Sequence, residues 1–235
     1  YNYLKLLTDE NFRIALVNTS ILAFTCVTVT LSLALLLSVL MASIERASAL
    51  YSLIYFIPVV IPWVPASVIW RWILDPKLGI LNFLLSLVGL PGQSWLQHPH
   101  QNLIPVVIVA VWKTLGYYIL VLFVGLRNIP PMYYDAAEID GANASRRFFP
   151  ITLPLLKPII LFSVIMAIIH FFNIFTLAYS LSSSPQGSPS YETKVLVWEI
   201  YRNGFAFHKM GYASAQAVVL LIVVVVLILV QFRAI

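Results

Sequence analysis

The 235-residue chain is 61% hydrophobic and 10% charged, with a formal net charge of +5 and a mean hydropathy of +0.93. Soluble domains carry about 25% charged residues, so this composition excludes an ordinary soluble domain and indicates several membrane spans. The apolar runs are continuous, which favours helices over a membrane barrel. The basic residues do not form a run, so the net charge does not indicate nucleic-acid binding.

Five stretches are long enough to cross a bilayer as helices, which requires about 20 apolar residues. They are residues 14–42, 50–74, 103–126, 158–181 and 213–232. The second contains Pro58, Pro62 and Pro65 and is therefore expected to kink. Residues 80–90 are too short to cross, and we expect them to be interfacial or re-entrant.

Single residues outside these patterns give weaker signals. The chain begins with Tyr1 instead of methionine, from which we expect a missing N-terminal segment. Cys26 is the only cysteine, so no internal disulfide can form, and its apolar surroundings indicate packing. His98 and His100 have no carboxylate beside them, which does not support a metal site. Basic residues are almost equally divided between the two predicted sides, so the positive-inside rule does not orient the chain.

A polar segment, YYDAAEIDGANASRRFFPITLP at residues 133–154, separates the third and fourth predicted spans. Prolines 130 and 131 end the preceding helix, and a short helix is predicted over Met132–Ile139. Asp140 and Gly141 indicate a turn, because glycine readily adopts positive φ. A second short helix is predicted over residues 142–149, ended by Pro150, with the phenylalanines 148 and 149 as anchors. The product is a two-helix elbow that suits a partner outside the membrane, although a solvated inter-helix loop is an equal alternative at this point.

The elbow closely resembles the EAA loop of ATP-binding cassette importer permeases, whose pattern is Glu-Ala-Ala, three residues, Gly, nine residues and Ile-x-Leu-Pro. Asp135-Ala136-Ala137, Gly141, Ile151 and Leu153-Pro154 fill these positions at the same spacing. The run Asp140-Gly141-Ala142 is similar to the carbohydrate-uptake branch, which includes maltose, other oligosaccharide and glycerol-3-phosphate permeases. The similarity extends over nearly the whole chain, through Asn18-Thr19, Trp70, Gly79, Gly125-Leu126, Ile129-Pro130 and Gly211-Tyr-Ala-Ser-Ala. The chain departs from the family at Asp135, where Glu is usual, and at Ser182-Ser-Ser-Pro185, where Gly-Gly-Pro is usual.

The resemblance implies an all-α polytopic membrane helix bundle of the type I ABC importer permease kind. We expect one transmembrane domain over residues 1–235, with about five of the family's six spans, in a bacterial or archaeal cytoplasmic membrane. The coupling loop, about residues 130–157, would be cytoplasmic and dock on an ATPase subunit. The residues implied in that contact are Asp135, Ala136, Ala137, Glu138, Asp140, Gly141, Ala142, Arg146 and Arg147.

The resemblance also implies the partners. The chain lacks a P-loop pattern, so we expect no cofactor here and no enzyme activity; ATP and Mg²⁺ are expected in two partner ATPase subunits. A second, different permease subunit and an extracytoplasmic solute-binding protein complete the expected assembly.

Polar residues within the predicted spans mark the expected substrate path, because they are costly there. Lys113 lies near the middle of the third span, and Thr114 and Tyr117 follow it on the helix. In the fourth span His170, Asn173 and Thr176 are three residues apart. Permeases of the resembled branch hold sugar against the helices that flank the loop, which implies contacts from Tyr117, Phe172 and Asn173. The predicted path comprises Lys113, Thr114, Tyr117, Phe172, Asn173 and Thr176, whereas helix packing is the more frequent role for a residue such as His170.

The sequence thus predicts the permease subunit of an ATP-driven importer, which forms the translocation path for a sugar or related polar solute. A secondary transporter or channel for a polar solute is the alternative. Ion coupling in such a protein would call for intramembrane carboxylates or internal repeats, and the central parts of these spans show none. The sequence does not specify the solute.

Overall fold

The computed structural model describes residues 2–44, 48–96, 103–182 and 194–233. Within these ranges the chain is helical and contains no strand. Two π-helical turns interrupt the α-helices, at Phe148–Thr152 and Arg202–Ala206. The α-helices are α1 Asn2–Thr8, α2 Glu10–Ala42, α3 Ser48–Val60, α4 Trp63–Ile73, α5 Ile80–Leu87, α6 Leu103–Arg127, α7 Met132–Ile139, α8 Ala144–Arg147, α9 Leu153–Phe172, α10 Thr176–Ser182, α11 Leu196–Tyr201 and α12 Met210–Arg233.

Four helices in the described ranges are long and apolar enough to cross a membrane: α2, α6, the continuous helix Ala144–Phe172, and α12. α3 and α4 pass the same test only as a pair, which gives up to five spans. The all-helical, polytopic fold class is therefore confirmed. α5 has eight residues, far fewer than the roughly 20 that a bilayer requires, so it is not a span.

The second predicted span is broken, not merely kinked. α3 ends at Val60 and α4 begins at Trp63, so residues 61 and 62 belong to neither helix. Pro58 is accommodated inside α3. Pro62 and Pro65, however, both lack the N–H that would continue the ladder. Two proline positions within one helical turn remove two hydrogen bonds, those to the carbonyls of residues 58 and 61, which ends the helix where a single proline only bends it.

The fourth predicted span, residues 158–181, begins and ends elsewhere. Helix Ala144–Phe172 runs through Pro150, Pro154 and Pro158. Pro150 was expected to end the second elbow helix, but it lies in the π-helical turn Phe148–Thr152. A π-turn adds a residue to the helical turn. Proline, which has no N–H to donate, is accommodated in this turn. The helix then stops at Phe172, and residues 173–175 separate it from α10.

Contacts divide the chain into two units. The first comprises Tyr1–Cys26, Ile61–Val111 and Ile168–Ile235, and the second comprises Val27–Val60 and Trp112–Ala167. In the second unit, α9 packs against α6 at Gly125, where an added Cβ would lie 2.5 Å from the Cδ1 atom of Ile159. The glycine therefore permits this close approach, and the elbow between the two helices is held on a packed pair.

In the first unit, α2 holds the segment that leads into α11. The Thr19 hydroxyl donates to the carbonyl of Ala15 and accepts from the N–H of Leu196 at 2.8 Å. The Asn18 amide donates to the carbonyl of Lys194, whose Nζ in turn donates to Asn11 Oδ1 at 3.0 Å. Burial lowers the pKa of the Lys194 ammonium. The Asn18-Thr19 pair thus has a structural function.

A buried polar group joins α11 to α12 in the same unit. The carboxylate of Glu199, which is 1% exposed, accepts from Arg202 at 2.8 Å and from Asn203 at 3.0 Å. The Asn203 amide also donates to Gln216, which is fully buried on α12. Gln216 thus makes a contact between helices.

The link between α4 and α5 is a tight turn. The carboxylate of Asp75 accepts from the backbone N–H groups of Lys77 and Leu78, each at 2.9 Å. These hydrogen bonds lower the pKa of that carboxyl group. A Cβ at Gly79 would overlap the carbonyl of Asp75, so the turn requires glycine. The turn therefore places α5, which contains no charged residue, directly after α4.

Candidate functional site

The first arm of the elbow is α7, Met132–Ile139, which has the predicted bounds. Gly141 ends it with φ +69°. The N–H of Gly141 donates to the backbone carbonyl of Glu138 at 3.0 Å, and the N–H of Ala142 donates to the backbone carbonyl of Ala137 at 2.9 Å. These two bonds form a Schellman motif, in which glycine supplies the left-handed residue. The predicted Asp140-Gly141 turn is therefore present.

The second arm begins two residues later than predicted, because Asn143 caps it. The Asn143 side chain accepts from the N–H of Arg146 at 2.9 Å, which satisfies one of the free donors at the start of α8. Arg147 bends back, and its Nε donates to the carbonyl of Ala142 at 2.9 Å. Its ion pair with Glu138, at 3.4 Å, is exposed and contributes little. The bend is held mainly by backbone-directed bonds.

A hydroxyl pair anchors the elbow to the start of the following span. Thr152 donates to the carbonyl of Arg147 at 3.2 Å and lies 3.1 Å from the Tyr134 hydroxyl. Because the threonine proton is used, Tyr134 is the donor in this second bond. Phe149 is exposed, so it does not anchor the elbow as predicted, and Phe148 is half-buried. Nothing in the residue pattern alone pairs positions 134 and 152, which come together only through the turn.

Most of the predicted partner-contact residues face outward. Asp135, Ala136, Glu138, Asp140, Gly141 and Arg146 are exposed, and Ala142 and Arg147 are half-buried. Ala137 is buried and faces the protein. The sequence analysis missed Ile139, which is 88% exposed beside the turn, together with the exposed Met132 and Tyr133. Large apolar residues grouped on an exposed surface are typical of a protein interface.

The predicted path residues of α6 lie in the second unit. Lys113 and Thr114 are buried, and Tyr117 is half-buried. The Tyr117 ring packs edge-on against that of Tyr118, with centroids 5.1 Å apart. The Lys113 ammonium donates to two backbone carbonyls, those of Pro58 and Val59. Lys113 is therefore engaged within the protein.

The predicted path residues that follow the elbow lie in the first unit. Asn173 is exposed at the end of α9, and Thr176 begins α10. Both line one cleft, together with Trp63 and His170, whose rings stack at 5.7 Å. Phe172 is 1% exposed and packs edge-on against Phe24, and it is not among the residues that line the cleft. The residue pattern did not predict Trp63 as a lining residue, because the second span was expected to be continuous. In the structure, Trp63 begins α4 directly after the break in that span.

The comparisons with known proteins decide the family. Residues 34–235 match the family model described as "Binding-protein-dependent transport system inner membrane component". The chain belongs to this permease family. The resemblance carried by the elbow is thereby confirmed, and the family is one of transport components, not of enzymes.

Individual permeases agree with this assignment. The chain is 34% identical over 227 residues to the "Probable ABC transporter permease protein YesP" of Bacillus subtilis (strain 168). The match covers 96% of this chain and 72% of that protein. It is 31% identical over 235 residues to the "sn-glycerol-3-phosphate transport system permease protein UgpA" of Yersinia pseudotuberculosis (strain IP32953), which covers 99% of this chain and 78% of the relative.

The fold also matches solved permeases. The crystal structure of a bacterial alginate ABC transporter, in complex with an alginate pentasaccharide-bound periplasmic protein, contains a chain with a TM-score of 0.88 and 23% identity. The match covers 97% of this chain and 80% of that chain. A second structure, of a bacterial ABC transporter involved in the import of the acidic polysaccharide alginate, has a TM-score of 0.89 over 99% of this permease.

Two predictions concern parts of the permease outside the described residues. His98 and His100, considered as metal ligands, lie in the undescribed range 97–102. Residues 183–185 of the altered family motif lie in a second undescribed range, 183–193.

Proposed function

We propose that this permease is the translocation subunit of an ATP-driven importer for a sugar or related polar solute in a bacterial cytoplasmic membrane. The observation that carries the proposal is the elbow, which the protein holds rigidly while presenting an apolar and charged surface to a partner. ATP and Mg²⁺ belong to two separate ATPase subunits, one of which binds this surface on the cytoplasmic side. ATP-driven closure of those subunits then moves the permease between inward and outward access.

The elbow has the properties of a docking surface. Its backbone is held by the Schellman motif at Gly141 and the cap at Asn143, so little order must be gained on binding. Ile139 supplies an exposed apolar side chain that a partner can bury. Asp135, Glu138 and Arg146 are exposed charged residues of the same elbow, and such charges help to select a partner.

Delivery by a soluble binding protein and pairing with a second, different permease complete the proposed assembly. The family description names binding-protein-dependent transport. The alginate transporter was solved with a periplasmic protein that carries the pentasaccharide. Both observations support an outer partner that hands the solute to the permease.

The proposed solute is rich in hydroxyl groups. Asn173 and Thr176 place an amide and a hydroxyl on a cleft that also exposes the Trp63 and His170 rings, and aromatic faces beside hydrogen-bonding groups suit sugars. On α6, Lys113, Thr114 and Tyr117 are the proposed path residues, Lys113 by positioning the other two. We assign Phe172, which is buried against Phe24, a supporting role. The named solutes of the relatives, glycerol phosphate and alginate, are of the same general chemistry.

The experiment that tests the coupling surface compares two glycines in identical settings. Gly141 and Gly89 both have positive φ, at +69° and +76°, and an added Cβ at either meets nothing within 4 Å. Gly89 also ends its helix, α5, in a Schellman pattern, in which its N–H donates to the carbonyl of Ser86 and that of Leu90 to the carbonyl of Leu85. Valine at either position therefore imposes the same backbone strain, about 1–2 kcal/mol, but only Gly141 lies in the elbow.

The full chain, affinity-tagged and purified from its native membrane, should bring down an ATPase subunit. We expect Gly141→Val to reduce the recovered ATPase about tenfold, since 1.4 kcal/mol changes an equilibrium tenfold. Gly89→Val should leave recovery unchanged. Equal recovery with both variants, or no ATPase with the wild-type chain, would contradict the proposal.

A further inference from the structure

We propose that Lys113 is a positioning residue whose ammonium group caps the end of α3 where the second span is broken. By doing so, it holds the stretch of α6 that carries Thr114 and Tyr117. The connection with the solute path rests on the proposed function, whereas the capping role stands on the contacts within the second unit alone.

The break in the second span leaves carbonyl groups without their usual donors. In a continuous helix the carbonyl of residue i accepts from the N–H of residue i+4. Pro58 would need a donor at position 62, where proline has none. α3 also ends at Val60, so the ladder does not continue from Val59 to Trp63. Such groups are costly inside a bilayer, where no water replaces the lost bonds.

Lys113 supplies these donors. Its Nζ lies 3.0 Å from the carbonyl oxygen of Pro58 and 3.1 Å from that of Val59. The residue is 5% exposed and near the middle of the 25-residue α6, so its charge does not extend to water at a membrane surface. Charge-assisted hydrogen bonds are about twice as strong as neutral ones. The contact therefore satisfies both the carbonyls and the buried charge.

The same part of α6 touches the backbone of α3 a second time. Gly116 lies three residues after Lys113, on the same side of the helix. A Cβ there would overlap the carbonyl oxygen of Tyr55 and lie 2.6 Å from its carbonyl carbon. The ammonium of Lys113 and the missing side chain of Gly116 thus set the position of α3 on α6 at two points.

Capping and solute binding depend on different properties of the Lys113 side chain. A cap needs hydrogen-bond donors near the carbonyls of Pro58 and Val59. A contact with an anionic solute needs the positive charge. Glutamine and methionine have the same length and are both neutral, but only glutamine has N–H donors. Lys113→Gln and Lys113→Met therefore separate the two roles.

The test measures thermal unfolding of the full chain in lipid nanodiscs, which also contain any subunits that co-purify with it. We expect Lys113→Met to lower the unfolding midpoint by about 5 °C, because two buried carbonyls lose their donors. Lys113→Gln should recover at least half of that loss. In solute uptake, Lys113→Met should lower the maximal rate, Lys113→Gln should restore it, and the KM should stay unchanged in both.

The opposite pattern would overturn the proposal: equal midpoints and equal uptake defects in the two variants, or a rise in KM confined to anionic solutes. If Lys113→Met does not accumulate in the membrane, Lys113→Gln decides alone. Membrane accumulation of Lys113→Gln close to that of the wild type supports the cap. A failure to accumulate equal to that of Lys113→Met contradicts it. Since unfolding requires neither solute nor ATP, failure of the importer proposal would leave this result interpretable.

Discussion

Gly116 shows how one missing side chain determines a helix contact. Alanine is favoured over glycine in a helix by about 1 kcal/mol, so Gly116→Ala would stabilise an isolated α6. In the protein, the added Cβ would overlap the backbone of Tyr55, and a backbone cannot rotate away as a side chain can. Overpacking of this kind typically costs about 1–3 kcal/mol. The packing term therefore outweighs the propensity.

We accordingly expect Gly116→Ala to lower the unfolding midpoint of the chain in nanodiscs by several degrees. Gly92→Ala is the matched control, because its Cβ would lie at an ordinary 3.7 Å from the Asn82 side chain and should leave the midpoint within about 1 °C. A midpoint for Gly116→Ala equal to or above that of the wild type would mean that α3 does not approach α6 as described.

At the scale of elements, Asn82 organises the segment that follows α5. Its amide donates to the carbonyls of Pro76 and Gln93, and its oxygen accepts from the N–H of Gln93 and the indole of Trp95. One buried side chain thus replaces the backbone ladder that this segment lacks. Asn82→Leu keeps the size but leaves these groups without their partner, at about 1–3 kcal/mol for each buried group.

Hydrogen exchange at the amide of Gln93 measures this role. We expect Asn82→Leu to accelerate that exchange at least tenfold, since 1.4 kcal/mol is a factor of ten. Ser86→Ala, which removes only an exposed hydroxyl bonded to Phe83, should leave it unchanged. Unaltered exchange in Asn82→Leu would show that the segment is held by something other than Asn82.

Prolines mark the elements whose ends the sequence did not predict correctly. Positions 62 and 65 break a span that was expected to kink, and position 150 sits in a π-turn where a helix end was expected. A proline removes one donor in each case, but the result depends on what else satisfies the carbonyls. The carbonyl of Pro58, which would accept from position 62 in a continuous helix, instead accepts from the Lys113 ammonium on the distant helix α6. Local sequence cannot show such a partner.

At the scale of the whole molecule, apolar length and the elbow pattern were sufficient to predict the fold class and the family. The spans 14–42, 103–126 and 213–232 correspond to α2, α6 and α12 because long apolar runs have few alternatives in a bilayer. The candidate path was less predictable. Asn173 and Thr176 do share a cleft, but Trp63, which lines it with them, comes from a distant segment. Spacing within one span reveals nothing about that neighbour.

Solute uptake by proteoliposomes tests the central claim most directly. The vesicles contain the complex purified through this chain, with its binding protein outside, and receive a labelled panel of neutral sugars and a polyol phosphate. We predict uptake of at least one solute that requires internal ATP, is abolished by Gly141→Val and persists with Gly89→Val. Uptake that proceeds without ATP and follows an imposed ion gradient, with Gly141→Val unaffected, would contradict the account.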